Sequence, residues 1–272
     1  MGKKDEKLSL IKNHWNDWAD KYGESLRATT KSSNIKQLEI KILIDAISKY
    51  FKDSISILEV GCGNGYNAIS IASELDHVVD AFDYIPEMIE SANSNKSNLE
   101  SEVQSRLNFY VGDVLDISKD KKFDLVYSCR CLINLPDFDL QKEAIDNILK
   151  SVVDNGYVFM IENFRDNHAS QNKLRNSVGL ESRNVAEFNN FFDNKELVDY
   201  LVHVGCEIIE TINFSSLHDI AQYVLVPMLH NGEVEYDSEI MISITKLLLS
   251  LSIEDINKFG EFGQNKLLVI KK

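Results

Sequence analysis

The sequence is short of the residues that punctuate or staple a chain. Three prolines, at positions 86, 136 and 227, are spread over 272 residues, and no Pro-, Gly- or Ser-rich linker divides them. This excludes an obvious string of domains, and the length suits one large domain with appendages. The four cysteines, Cys62, Cys129, Cys131 and Cys206, form no C-x-x-C pair. That spacing excludes a zinc finger or a disulfide framework and predicts buried thiols in a reducing compartment. No run of about 18 apolar residues is present, so no membrane-spanning segment is expected. The first residues, "MGKKDEKLSLIKNHW", lack the apolar core of a secretory signal, and Glu6 stands where a myristoylated Gly2 would need Ser or Thr. Positive charge is also in deficit. Lys and Arg number 29 against 43 Asp and Glu, a formal net charge of −14. Nucleic acid and anionic membranes are therefore disfavoured partners. The expectation is a soluble cytoplasmic protein with a small-molecule partner.

What the sequence does contain is an alternation of short apolar runs with amphipathic stretches. Ile40, Leu43, Ile44, Ile47 and Phe51 recur at helical spacing. Strands are predicted at 55–60, 77–83, 107–111, 123–128, 156–163, 207–214 and 266–272. Helices are predicted after Gly65, from Pro86, over 140–152 and over 194–205. Such alternation predicts a parallel, doubly wound α/β sheet. Residues 164–192 read as polar and irregular, and 215–264 as an insertion with helical patterns near 216–229 and 239–251. The expected organisation is an N-terminal helical cap over 1–52 and a main domain over 53–272, carrying cap insertions at about 164–192 and 215–264.

The sharpest local signal is "ILEVGCGNGYNAI", residues 57–69. A glycine-rich turn after a first parallel strand admits a ligand to the backbone, as a dinucleotide site, a phosphate loop or a tight turn. No Gly-Lys-Ser/Thr ends it, which removes a Walker loop. The third glycine, Gly65, comes one position early for a dinucleotide fingerprint. Glu59 precedes the turn and would repel a pyrophosphate, whereas it suits a cationic ligand. S-adenosylmethionine is such a ligand, carrying an ammonium and a sulfonium and no phosphate. Asp83 ends the second strand, placed to accept from two ribose hydroxyls. Asp113 and Val114 follow the third strand, placed for an adenine amino group and ring, and Cys129 ends the fourth.

With these residues in order, "LEVGCGNG", "DAFDYIPEMIESA", "VGDVLDI", "FDLVYSCRCLINLPD" and "GYVFMIENF", the stretch 55–163 resembles the class I S-adenosylmethionine-dependent methyltransferases. The resemblance implies a Rossmann-like seven-stranded sheet of order 3-2-1-4-5-7-6 with the last strand antiparallel. It implies Gly61, Gly63, Asp83, Asp113 and Val114 as cofactor contacts, and the expected set also includes Tyr22, Glu59, Tyr84 and Cys129. No metal is expected.

Both insertions leave from the carboxyl edge of the sheet, and Trp15, Trp18 and Tyr22 cover the opposite side, so a capped cleft and a small polar acceptor are expected. "CRCLINLPD", "IENF" and the C-terminal stretch also resemble methyltransferases of bacterial glycan gene sets, which implies a sugar or sugar-nucleotide hydroxyl as acceptor. The alternatives are a small amine acceptor and a catalytically inactive binding protein of the same fold. Arg130, Asn134, Asn163 and Tyr223 are the expected acceptor contacts. A hydroxyl acceptor calls for a base. His218, in the cap, is the first candidate and Glu162, at a strand end, the second; His14 and His168 lie in polar segments and remain open.

Overall fold

The computed structural model describes residues 3–118 and 120–272; Gly2 lies outside them. Seven strands form one sheet: β1 (Ser56–Val60), β2 (Val78–Asp83), β3 (Leu107–Val111), β4 (Phe123–Cys129), β5 (Val152–Asn163), β6 (Glu207–Ile212) and β7 (Asn265–Lys271). Their order is β3-β2-β1-β4-β5-β7-β6, and β7 runs antiparallel to both neighbours. Strand alternation divides the core into two layers. Leu125 and Tyr127 of β4 face Leu38, Ile42 and Ile71 on one side of the sheet. Val126 between them faces Ile145, Ile148 and Leu197 on the other.

The helices that precede and accompany β1–β5 are α1 (Lys3–Tyr22), α2 (Ser33–Tyr50), α3 (Tyr66–Glu74), α4 (Pro86–Ser97), α5 (Ser101–Ser105) and α6 (Phe138–Ser151). Several starts follow from capping chemistry. The Ser32 hydroxyl accepts from the Ile35 N–H to open α2, Pro86 opens α4, and Asp137 accepts from the Leu140 N–H to open α6. After β5 come α7 (Arg165–Ser177) and α8 (Asn194–His203). Between β6 and β7 lie α9 (Ser216–Ile220), a π-helical turn over Ala221–Leu225, α10 (Val226–Leu229), α11 (Glu239–Ser250) and α12 (Ile253–Ile256).

One element differs from expectation. Residues 164–192 contain a helix, α7, and not only irregular chain. Its buried residues are Asn167, His168, Gln171 and Arg175. They recur at helical spacing but are polar: Asn167 meets Asn213, Gln171 meets Arg183 and the Phe262 carbonyl, Arg175 meets the Glu181 and Tyr223 carbonyls, and His168 lines a cavity. β5 also begins four residues before the predicted position 156. Among the described residues no helix is long and apolar enough to cross a membrane.

Candidate functional site

Two cavities open beyond the carboxyl ends of the parallel strands. The first, of about 460 Å³, has the glycine turn as its floor. Gly61 and Gly63 adopt φ of +71° and +53°, a left-handed region that favours glycine. A Cβ on Gly61 would stand 2.3 Å from the Cys131 sulfur, and one on Gly63 would stand 2.3 Å from the Thr29 methyl. The turn is thus pressed from outside by the loop after β4 and by the segment before α2. Asp83 holds it from the side: one carboxylate oxygen accepts from the Gly63 N–H at 2.8 Å, the other from the Ile85 N–H at 3.0 Å. Burial pushes the Asp83 carboxyl above its usual range. Asp113 accepts from the Leu115 N–H at 2.9 Å, which fixes the turn carrying Val114.

Gly61, Gly63, Asp83, Tyr84, Asp113, Val114 and Cys129 all line this cavity. So do Phe82, Ile85, Met88 and Leu135, an apolar wall, and from α1 the expected Trp15 together with Leu8, Ile11 and Lys12, which no motif marks in the sequence. Asp83 and Asp113 make no ion pair with a cation among the described residues. Lys36, on the same wall, is paired with Glu39 at 3.3 Å. Carboxylates open to the cavity, with a paired lysine, suit a cationic ligand free of phosphate. The apolar wall suits an adenine ring, so these residues fit S-adenosylmethionine.

Two expected cofactor contacts are corrected. Tyr22 is not on the wall; it packs against Trp18 and the cluster of Ala19, Ala28, Ile85 and Met88. Glu59 is fully buried behind the wall, where one oxygen accepts from the Asn67 amide at 2.9 Å and the Tyr127 hydroxyl and Ala68 N–H stand beside the carboxylate. Burial pushes its carboxyl up to about 7. Glu59 acts on the cavity only through Asn67, which does line it.

The second cavity, of about 390 Å³, adjoins the first: Trp15, Thr29, Arg130 and Asn134 line both. Its other walls come from α1, the loop 183–191, Asp219, Tyr223, Tyr236 and Gln264 of the β6–β7 insertion, and Asn265 at the start of β7. Both insertions and the N-terminal segment therefore enclose it. His14 stacks on Phe188 at 4.0 Å between ring centroids, with Trp15 and Trp18 beside it, giving one aromatic wall.

The expected acceptor contacts Arg130, Asn134, Asn163 and Tyr223 all line this second cavity. Their chemistry differs from expectation in two cases. The Arg130 guanidinium is already engaged: Nε donates to Glu39 at 2.6 Å, Nη2 to Glu39 at 3.2 Å and Nη1 to the Thr29 carbonyl at 3.1 Å. Asn134 donates to the Arg130 and Cys131 carbonyls and accepts from the Trp15 indole. Both hold the wall together rather than offering free donors. Asn163 and Asn265 are different. They face each other across β5 and β7, are almost fully buried, and each leaves its amide oxygen without a partner. The Asn265 amide nitrogen donates to Glu39 at 2.8 Å, which fixes the orientation of that side chain.

Neither expected base reaches a cavity. His218 is buried, absent from both walls, and bonded through Nδ1 to Asp219 at 2.8 Å. Glu162 is fully buried and absent from both walls; it accepts from the Ser128 hydroxyl at 2.8 Å and from the Leu132 and Ile133 N–H groups, so it organises the loop after β4. Burial pushes its carboxyl up to about 7. The imidazole that does line the second cavity, besides His14, is His168. It packs edge-on against Phe191 and makes no hydrogen bond from its ring among the described residues. Burial, aided by Arg183, holds its pKa below the ordinary histidine value, so the ring is neutral at pH 7.

Comparison with known proteins agrees with this geometry. Residues 51–211 match the family described as methyltransferase domain. The ubiquinone biosynthesis O-methyltransferase of Rickettsia felis is 23% identical over 210 residues, 75% of this chain and 80% of that protein. Among solved structures, magnesium protoporphyrin IX methyltransferase from Synechocystis PCC 6803, crystallised with bound SAH, superposes with a TM-score of 0.57 at 12% identity, covering 88% of this chain and 86% of that one. An S-adenosylmethionine-dependent methyltransferase from Clostridium acetobutylicum superposes with a TM-score of 0.54 at 14% identity, covering 95% and 99%.

Proposed function

The chain belongs to the class I S-adenosylmethionine-dependent methyltransferases, and from that premise we propose that it methylates a hydroxyl of a small polar acceptor, a sugar or sugar nucleotide. When bound, the cofactor supplies an electrophilic methyl group on a sulfonium. Of the expected N-terminal cap over 1–52, α1 and the segment before α2 cover the cavities, whereas α2 packs into the core on the sheet. Gly61, Gly63, Asp83, Asp113 and Val114 are the residues proposed to hold the cofactor, with Tyr84 and Cys129 on the same wall. The acceptor occupies the second cavity, and the four residues lining both cavities mark where the reacting atoms meet.

The observation that carries this reading is the pair of buried, unpartnered amide oxygens on Asn163 and Asn265. A buried acceptor without a donor is unfavourable by about 1–3 kcal/mol until a ligand supplies one. Two of them on adjacent strands favour a ligand rich in O–H groups. The aromatic wall of His14, Trp15 and Trp18 gives such a ligand an apolar face to lie on. His168, neutral and free to accept, is the proposed base in place of His218 and Glu162. It would take the proton released from the acceptor hydroxyl, the bound cofactor supplying the methyl group that replaces that proton. Four free cysteines fit a cytoplasmic setting.

Labelled cofactor offered with sugars, sugar nucleotides, small amines and nucleic acid tests the acceptor class. Label is expected in the sugar arms, alkali-stable as an ether. Transfer confined to amines or nucleic acid overturns the hydroxyl reading. In the productive arm, His168→Gln is expected to slow turnover by roughly 10²–10⁴-fold and to remove the acid limb of the pH profile, with cofactor affinity unchanged.

A further inference from the structure

The second cavity holds more positive charge than its surroundings neutralise. Its wall carries Lys31, Arg130 and Arg183 against one carboxylate, Asp219, among the described residues. Arg130 is neutralised by Glu39. Asp219 is turned inward, accepting from the Gln264 N–H at 2.8 Å and the Ser215 hydroxyl at 3.3 Å, with His218 against its other oxygen. Arg183 and Lys31 remain, and neither makes an ion pair among the described residues.

Arg183 is also built in. Its guanidinium lies 3.4 Å from the centroid of the Tyr223 ring, and one terminal nitrogen donates to the buried Gln171 side chain at 2.7 Å. Stacking and two neutral anchors fix the plane of the fork, since the same nitrogen also donates to the Gln264 side chain at 3.5 Å, while Nε and Nη2 make no hydrogen bond among the described residues. Behind it stands a second guanidinium, Arg175, almost fully buried, which donates to the carbonyls of Glu181 and Tyr223 and to no carboxylate. Burial, and then the charge of Arg183, hold the Arg175 guanidinium below its ordinary pKa, which marks the two cations as close with no acid between them. In a chain of net charge −14, the supply of carboxylates is not what is lacking. Arg183 is half-buried at the cavity wall and Lys31 is exposed beside it, and no carboxylate is set against either among the described residues, which leaves the position open to an anionic ligand.

We infer that the acceptor carries an oxyanion, a phosphate or a carboxylate, and that Arg183, stacked on Tyr223 and seconded by Lys31, is the residue that receives it. This rests on the second cavity being the acceptor site and narrows the acceptor to acidic or phosphorylated molecules. A planar, preset fork matches the two oxygens of either group. The Asn163 and Asn265 oxygens remain for hydroxyl donors.

Calorimetric titration of the cofactor-loaded protein with inorganic pyrophosphate and, separately, with D-glucuronate tests this and tells the two oxyanions apart. At least one is expected to bind, and Arg183→Gln is expected to weaken it about tenfold or more with cofactor affinity unchanged. Arg183→Lys, which keeps the charge and loses the fork, is expected to fall between the two, and it carries the test alone where Arg183→Gln does not fold. Binding at unchanged affinity in the folded variant overturns the inference, as does the absence of binding of both anions by the unaltered protein up to about 10 mM, where weak fragments still register. Failure of the hydroxyl reading looks different. Anions would then bind through Arg183 while no sugar takes up label.

Discussion

At the residue scale, Asp83 has two tasks that a sequence shows as one. The end of an apolar strand is a costly place for a carboxylate without a partner, which makes it legible as a ligand contact. The structure adds that its two oxygens already hold the Gly63 and Ile85 N–H groups. Asp83→Ala is therefore expected to weaken S-adenosylmethionine by about 1.5–3 kcal/mol, the scale of a hydrogen bond to a charged group, and to loosen the glycine turn as well. Titration of the folded variant at unchanged affinity would remove Asp83 from the cofactor site. Legibility at this scale followed motif context. Gly61, Gly63, Asp113 and Val114 sit at turns after strands, where position alone implies a role. His168, Arg183 and Asn265 had no such marker. They sit in the polar insertion 164–192 and at the start of β7, and their meeting depends on how the cap folds back. His218 lies in the cap, which makes it a candidate by sequence, but its Nδ1 meets the neighbouring Asp219, its Nε2 is buried without a partner among the described residues, and the ring lines neither cavity.

At the element scale, strands were easier to read than the cap. The central strands β1, β4 and β7 are apolar runs buried on both faces, and the edge strands β3 and β6 are still apolar runs bounded by turns, so their residues report them directly. Helix α7 was invisible because the face it buries is Asn167, His168, Gln171 and Arg175. Hydrophobic periodicity finds helices that pack on an apolar core, not helices whose buried face is held by polar contacts. Helix α1 is a similar case on the other side. Its apolar residues Leu8 and Ile11 and the indole of Trp15 line the first cavity, and Trp15 lines the second too. Trp18 touches only the second and donates to the Arg27 carbonyl at 3.0 Å. The two tryptophans thus separate the events. Cofactor titration is expected to change the intrinsic fluorescence, with the change lost in Trp15→Phe and kept in Trp18→Phe. The reverse pattern, or no change in the unaltered protein, would mean that α1 does not cover the cofactor.

Across the whole molecule, buried carboxylates set how stability responds to pH. In Glu39, burial pushes the pKa up, but Arg130 and Lys36 outweigh it, and the net shift is downward. Its contribution is present above the ordinary carboxylate range and is lost on acidification. Glu59 and Glu162 do the opposite. Burial raises each to about 7 from an unperturbed 4.5. The folded state holds these protons more tightly than the unfolded chain, so their contribution is full below about 4.5 and is lost as pH rises through about 7. A rise of this size corresponds to roughly 3 kcal/mol per group. The surplus of negative charge adds self-repulsion on the same side. Stability is therefore expected to peak in mild acid and to fall between about pH 5 and 8. Glu59 is the better site for the test, because Glu162 accepts from three donors and a glutamine amide would face one of them with its own N–H. Glu59→Gln keeps an oxygen for Asn67 and removes the titration. Urea unfolding at a series of pH values is expected to show a flatter decline in the variant than in the unaltered protein. Parallel profiles would show that Glu59 is ionised in the folded protein throughout this range, and its burial would then need a cation closer than Lys36 to sustain it.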